Sequence, residues 1–183
     1  MIRLDESAIE NALPLAAVGL TKYCWLQAAL VESDVTHDRE FQRRFNAFYR
    51  VRRNSAWQSA FYGLLEENKS KHQSFADVLR ALHAVTGRVE ASFASKLVAS
   101  VAPDVPVIDA FVLKNLGLRL PPAGPIVIRL ARIVELHDLI GQIFSDYLDT
   151  DSGRYLVTRF EESYPDRHVT RVKMLDLVLW QAR

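Results

Sequence analysis

The chain contains one cysteine, Cys24, among its 183 residues. A single cysteine cannot form an internal disulfide, and it has no cysteine partners for a zinc or iron-sulfur site. The first ten residues also lack the basic and apolar regions of a secretory signal peptide, so no export is expected. A reducing cytoplasm suits such a chain best, and we predict a cytoplasmic protein.

Long uninterrupted apolar runs are missing as well. The most apolar stretch, residues 13–30, is broken by Pro14, Gly19 and Gln27 and carries Lys22 near its centre. Because a lysine is costly in the middle of a bilayer, we expect a buried helix here and no membrane contact. The formal net charge is only +1, so any nucleic-acid surface must come from local segregation of charge.

What the composition does provide is an ordinary globular balance of 49% apolar and 25% charged residues. This balance excludes disordered and collagen-like chains. A chain of 183 residues suits one domain, residues 1–183, or two small lobes joined by the proline-rich segment near residues 119–125.

Nearly every apolar pattern in the chain has a helical period, and no useful run alternates as a strand does. The sequence therefore predicts an all-α, compact multi-helix domain of roughly eight to ten helices. Pro14 is expected to begin the second helix, after a short one at residues 5–11. Ser55 with Gln58 forms a predicted capping box, and Gly87 is a predicted helix end.

Two C-terminal segments show clear apolar stripes. One runs from Ile126 to Tyr147 and includes His137, which we expect to be a hydrogen-bonded core histidine. The other is a final helix at residues 170–183, expected to turn Val172, Leu175 and Leu179 inward. The five histidines show no ligand spacing, so no metal or other cofactor is predicted.

Lys96 is the first candidate for chemistry. In a helix over residues 89–102 it lies at the edge of the apolar arc, where partial shielding lowers a lysine's pKa toward that of a usable nucleophile. The structural alternative is a surface lysine whose stem covers apolar neighbours while its ammonium stays in water.

Asp109 is the second candidate. It follows a loop with Pro103 and Pro106 and begins the apolar face of the next helix, where it can act as a base or as an anion that stabilises a cation. The structural alternative is an ordinary N-cap aspartate. The loop is long enough to bring Asp109 back beside Lys96.

Positive charge is concentrated in residues 39–53, which hold six arginines against Glu40. This segment predicts a surface that contacts a phosphate backbone. The candidate contacts are Arg39, Arg43, Arg50, Arg52, Arg53 and Asn54. The alternative is a solvated face that pairs with the acidic residues 132–162.

The stretch from Lys96 to Leu118 resembles the core of the helix-hairpin-helix DNA glycosylase superfamily. It combines a lysine on a helix, a proline-containing loop, the step Pro106-Val107-Ile108-Asp109 and a helix ending in Leu-Gly-Leu. The resemblance implies that Asp109 is the aspartate needed for base excision and that Lys96 is the lysine that forms a Schiff base with the sugar. The stretches FNAFYRVRRN and KMLDLVLWQAR also resemble a bacterial group of small proteins with no settled activity.

These expectations give two hypotheses for function. The first is a nucleic-acid-binding protein, with DNA as its partner and base excision by Asp109 with Lys96 as its chemistry. The second is a non-catalytic helical module that binds a partner protein and keeps the scaffold without the reaction. Only Gly87 stands where the superfamily has several hairpin glycines, which favours the second hypothesis.

Overall fold

A computed structural model describes residues 2–182 of the chain. Within that range the chain forms nine α-helices and no β-strand, which confirms the all-α prediction. The helices are α1 (Glu6–Glu32), α2 (Arg39–Tyr49), α3 (Ser55–Lys71), α4 (Phe75–Thr86), α5 (Ala91–Val101), α6 (Ala110–Leu116), α7 (Ile126–Leu148), α8 (Asp151–Ser163) and α9 (Arg171–Gln181).

Helix α1 corrects the prediction of a break at Pro14, because the two expected helices form one helix of 27 residues. A proline removes the N–H that would bond the carbonyl of Glu10, but Pro14 faces solvent, where water can replace that bond. Buried residues before and after the proline, including Ile9 and Ala16, hold the helix against the core on both sides. Packing therefore keeps the helix continuous.

A short turn, residues 50–54, joins helices α2 and α3 and contains Arg50, Arg52 and Arg53. Helix α2 ends at Tyr49 and is followed by Arg50 in the left-handed region at φ 55°. Asn54, and not the predicted Ser55, is the N-cap of α3, since its side chain accepts a hydrogen bond from Trp57 N at 3.0 Å. Gln58 donates instead to the carbonyl of Arg53 at 2.6 Å, so the predicted capping box is wrong.

Helix α9 is the central element of the fold. It packs against α1, α6, α7 and α8, and every residue from Lys173 to Leu179 is buried. The prediction of a single inward face is therefore too narrow, because this helix has neighbours on several sides. Its polar residues are buried together with its apolar ones.

One core cluster contains residues from all nine helices. The stripe on α7 joins it from Ile133 onward, whereas Val127 and Ile128 in the first turn of that helix are exposed. None of the helices among residues 2–182 has the length and apolar character needed to span a bilayer.

Candidate functional site

Four charged side chains are buried where α5, α6 and α9 meet. Lys96 and Asp109 are each 7% exposed, and Lys173 and Asp176 of α9 are each 6% exposed. Burial of a charge is costly unless a partner of opposite charge compensates it. Burying two lysines beside two aspartates therefore costs less free energy per charge than burying any one of them alone. We call these four residues the buried charge cluster.

Lys173 and Asp176 form its innermost pair. They are three residues apart on α9, and Lys173 Nζ donates to Asp176 Oδ2 at 2.7 Å. Burial is the largest single influence and lowers the pKa of Lys173, but the Asp176 carboxylate, together with Tyr49 and Tyr23, raises that pKa above its ordinary value. The ammonium also lies 4.4 Å from the centre of the Tyr23 ring, a cation-π contact. Lys173 is therefore held in its charged form.

Asp109 serves as the N-cap of α6, as its structural alternative predicts. Its Oδ1 accepts hydrogen bonds from Phe111 N and Val112 N, both at 2.9 Å, and its Oδ2 accepts one from Trp180 Nε1. Burial and the nearby charge of Asp176 raise the pKa of the Asp109 carboxyl, while these hydrogen bonds act in the opposite direction. A catalytic role for Asp109 stays a prediction.

Lys96 lies close to Asp109 but is not hydrogen-bonded to it. Its Nζ donates to Ser92 Oγ at 3.0 Å and lies 5.3 Å from the centre of the Phe93 ring. Burial lowers the pKa of Lys96, and the negative charges of Asp109 and Asp176 partly oppose that shift. The surface alternative is wrong for this lysine, because its ammonium is enclosed with its stem.

A cavity of about 240 Å³ borders the buried charge cluster, and we call it the α9 cavity. Its lining includes the buried residues Tyr49, Asp109, Lys173 and Asp176, together with Trp180, Arg50, Lys22, Leu15 and Val18. The exposed members, such as Arg50 and Lys22, mark its opening, and the buried ones mark its inner wall. Lys96 is not among the lining residues, so the structure brings Asp109 to the cavity without Lys96.

A larger hollow of about 1120 Å³ lies between the start of α1 and the ends of α6 and α9. None of the described titratable groups that line it is buried, and its charged residues, such as Arg3 and Lys114, are exposed to solvent. We place the candidate site at the smaller cavity, because shifted titratable groups in a concave site are the stronger sign of function.

The predicted nucleic-acid contacts fall into two groups. Arg39, Arg43, Arg50 and Arg52 are exposed. Arg53 instead donates to both oxygens of the buried Glu90 at 3.1 and 3.2 Å, and Asn54 caps α3. The first group is available to a ligand, whereas the second is engaged within the protein.

The expected pairing of this basic segment with residues 132–162 does not form. Within the described residues its ion pairs join Arg43 and Arg44 to Glu40, and Arg53 to Glu90. The segment therefore keeps most of its positive charge on the surface. Arg50 connects that surface to the α9 cavity, because it lines the cavity and its guanidinium lies 5.5 Å from the centre of the Trp180 ring.

Sequence reasoning missed Tyr49, Lys173, Asp176 and Trp180 as site residues. A signal was present at α9, where Lys173 and Asp176 are one helical turn apart in an otherwise apolar segment. A helix that is apolar nearly all round is usually buried, so charges within it must find partners.

The described residues show no group of three or more His, Cys, Asp and Glu that could hold a metal ion. His137 has a structural role, since its Nε2 is 3.1 Å from the carbonyl oxygen of Pro106 and its ring stacks on Phe75 with centres 3.9 Å apart. Burial lowers its pKa. This is the hydrogen-bonded core histidine that its position on the stripe predicts.

The stretch from Lys96 to Leu118 folds as a helix, a proline-containing loop and a second helix capped by an aspartate. That local arrangement is the one on which the likeness to the helix-hairpin-helix glycosylases rests, and the likeness stays a prediction. Comparisons of the chain with protein-family models, with curated proteins and with solved structures found no match.

Proposed function

We propose that this protein binds nucleic acid through the exposed arginines of α2 and holds one unstacked nucleotide in the α9 cavity. The observation that carries the proposal is the position of Arg50, which belongs to both surfaces. It ends the basic helix and also lines the cavity beside Trp180. A nucleic-acid backbone bound along α2 would therefore pass close to the opening of the cavity.

The basic surface supplies the attraction to phosphates. Arg39 and Arg43 are four residues apart on α2 and share its exposed face, opposite the buried Phe41 and Phe45. Arg50 follows directly at the end of the helix. Because phosphate contacts release counterions, a few such arginines give measurable binding even though the net charge of the chain is +1.

The cavity supplies the place for a base. Its volume of about 240 Å³ is below the roughly 300–1,000 Å³ of drug-sized ligand sites, so it suits a single ring system. Trp180 offers an aromatic face, and such faces bind unstacked bases without strong sequence preference. Arg50 and Lys22 at the opening suit the phosphate attached to that base.

Base excision is the catalytic form of this proposal. Asp109 lines the inner wall, where a carboxylate stabilises the positive charge that develops on the sugar as the bond to the base breaks and water bonds to the same sugar carbon, its proton leaving with the base. Lys96 acts on Asp109 from behind the wall, because its positive charge favours the ionised carboxylate.

A non-catalytic binding module is the second candidate, and one observation favours it. Asp109 already accepts three hydrogen bonds from the protein, and Lys96 donates to Ser92. Groups held in this way fit a structural role as well as a chemical one. In that case the same basic face binds a partner without any reaction.

The test is the salt dependence of binding to duplex and single-stranded DNA. We expect affinity to fall steeply with salt, and Arg39→Ala with Arg43→Ala to reduce the slope by about one unit per lost contact. Arg132→Ala on α7 removes one positive charge from an exposed position outside α2 and is the matched control for each of the two single substitutions. Unchanged binding by the double variant, or no binding by the wild type, would contradict the proposal.

A further inference from the structure

The inner wall of the α9 cavity contains an acceptor without a donor. Asp176 Oδ2 accepts from Lys173, but Asp176 Oδ1 is buried and has no hydrogen-bond partner in the described part of the chain. A buried carboxylate oxygen without a donor is costly, and such groups are rare in folded proteins. The vacant acceptor therefore points to a donor that arrives with a ligand.

A buried water is a poor alternative partner for this oxygen. A second hollow next to Asp176 has a volume of about 10 Å³, which is at the lower limit for one water. Apart from Lys173 and Asp176, its lining side chains are apolar, including Pro103 and Val105. Asp176 and Lys173 are thus the two polar side chains of this lining, at the lower end of the two to four polar partners that a water needs.

The carboxylate can present an oxygen to the larger cavity instead. Asp176 lines the α9 cavity as well as the smaller hollow, and the terminal torsion of an aspartate is broad, so the carboxylate can rotate modestly at little cost. One oxygen of Asp176 can keep the bond to Lys173 while the other faces the α9 cavity.

Two donors of the same wall, Trp180 and Lys173, are already engaged. Trp180 Nε1 donates to Asp109, and the ammonium of Lys173 is enclosed by Asp176 and the rings of Tyr23 and Phe48, whose centres lie 4.4 and 5.9 Å away. Asp109 and Asp176 are two negative charges in a poorly solvated place, and Asp176 contributes to the raised pKa of Asp109. A ligand N–H beside these two carboxylates is stabilised, whereas a ligand carbonyl oxygen beside them is repelled.

We propose that the α9 cavity selects nucleobases with an exocyclic amino group, such as cytosine and adenine, over bases with a carbonyl or nothing at that position. The amino group donates to the carboxylate of Asp176, and the base ring packs against Trp180. This inference rests on the proposed nucleic-acid function and adds to it the edge of the base that is recognised.

The experiment uses single-stranded nonamers in which eight thymidines flank one central nucleotide, titrated into the full-length protein by calorimetry. One pair compares central cytosine with uracil, and a second compares adenine with unsubstituted purine, which lacks only the amino group. We expect the amino-bearing member of each pair to bind about tenfold more tightly. Asp176→Asn puts an amide N–H₂ in the wall and is expected to abolish this preference, whereas the exposed Asp138→Asn keeps it.

The possible outcomes show whether the nucleic-acid function or only the base preference fails. No binding to any nonamer would overturn the nucleic-acid function and this inference with it. Equal affinities within both pairs would overturn the base preference alone. If a folded Asp176→Asn variant keeps the preference for amino-bearing bases, Asp176 does not recognise the amino group. If that variant does not fold, the comparison of bases on the wild-type protein still decides whether the preference exists.

Discussion

The indole of Trp180 donates a hydrogen bond to Asp109 Oδ2 and so ties the central helix α9 to the first turn of α6. The two residues are 71 positions apart in the chain. The bond fixes the Asp109 carboxylate, which also caps α6, and it orients an aromatic face at the α9 cavity.

Replacing this indole tests the bond directly. Trp180→Phe keeps an aromatic ring but removes the donor, so the buried carboxylate of Asp109 loses a partner. We expect a loss of about 1.5–3 kcal/mol in the free energy of unfolding, measured with urea. Trp25→Phe is the control, because the central carbon of the Arg44 guanidinium lies 4.0 Å from the centre of the Trp25 ring and phenylalanine keeps an aromatic ring there. This variant should lose less free energy of unfolding than Trp180→Phe. Equal costs for the two variants would show that the bond to Asp109 adds nothing.

The pair Lys173 and Asp176 should show strong coupling. Asp176→Ala leaves a buried ammonium without a carboxylate, so we expect a loss of about 3–5 kcal/mol in urea unfolding. The double variant Lys173→Met with Asp176→Leu removes both charges and should be more stable than either single variant. Additive losses would mean that the two side chains do not depend on each other.

Substitutions of Arg53 and Arg39 should have different effects, the first on protein stability and the second on nucleic-acid binding. Arg53→Ala strands the buried carboxylate of Glu90, so it should destabilise the protein while leaving the salt dependence of DNA binding unchanged. Arg39→Ala should do the reverse, because Arg39 is exposed. Thermal unfolding and salt titrations on both variants decide this. A weaker salt dependence of DNA binding by the folded Arg53→Ala variant would show that Arg53 contacts phosphates after all.

Lys96 should make stability depend on pH in the alkaline range. Burial sets its folded-state pKa below the ordinary 10.5, so between those two values the unfolded chain holds a proton that the folded chain does not. Stability from this group therefore rises with pH across that window and is lost as pH falls through the folded-state pKa. Lys96→Met should remove this rise, whereas exposed Lys114→Met should keep it. Urea unfolding at a series of pH values up to 10.5 measures the difference.

Borohydride trapping tests the chemical role of Lys96. Because Lys96 does not line the α9 cavity, we expect no covalent product with abasic DNA, even if bases are excised. Asp109→Asn keeps the cap but removes the charge, so it should slow any excision far more than it affects folding. A trapped product that disappears in Lys96→Gln would show that the lysine reaches the sugar and would support the Schiff-base role.

Local signals predicted much of the fold. The helical class and the Gly87 cap followed from short-range patterns, since caps and periodicity depend on residues within one or two turns. The break at Pro14 was wrong because tertiary packing on both sides of the proline overrides its local effect. The candidate site was predicted in part, with Asp109 and Arg50 at the cavity and its α9 residues missed.

The sequence by itself determined that this protein is helical, where Asp109 begins a helix and where positive charge accumulates, because each property depends on neighbours along the chain. Only the tertiary structure decided which charges are buried together. Lys173 and Asp176 become a site only when α9 packs centrally and meets residues more than 60 positions away, such as Asp109. Arg53 and Arg39 look alike in sequence, but a carboxylate from a distant segment, Glu90, engages the first, whereas the second is exposed.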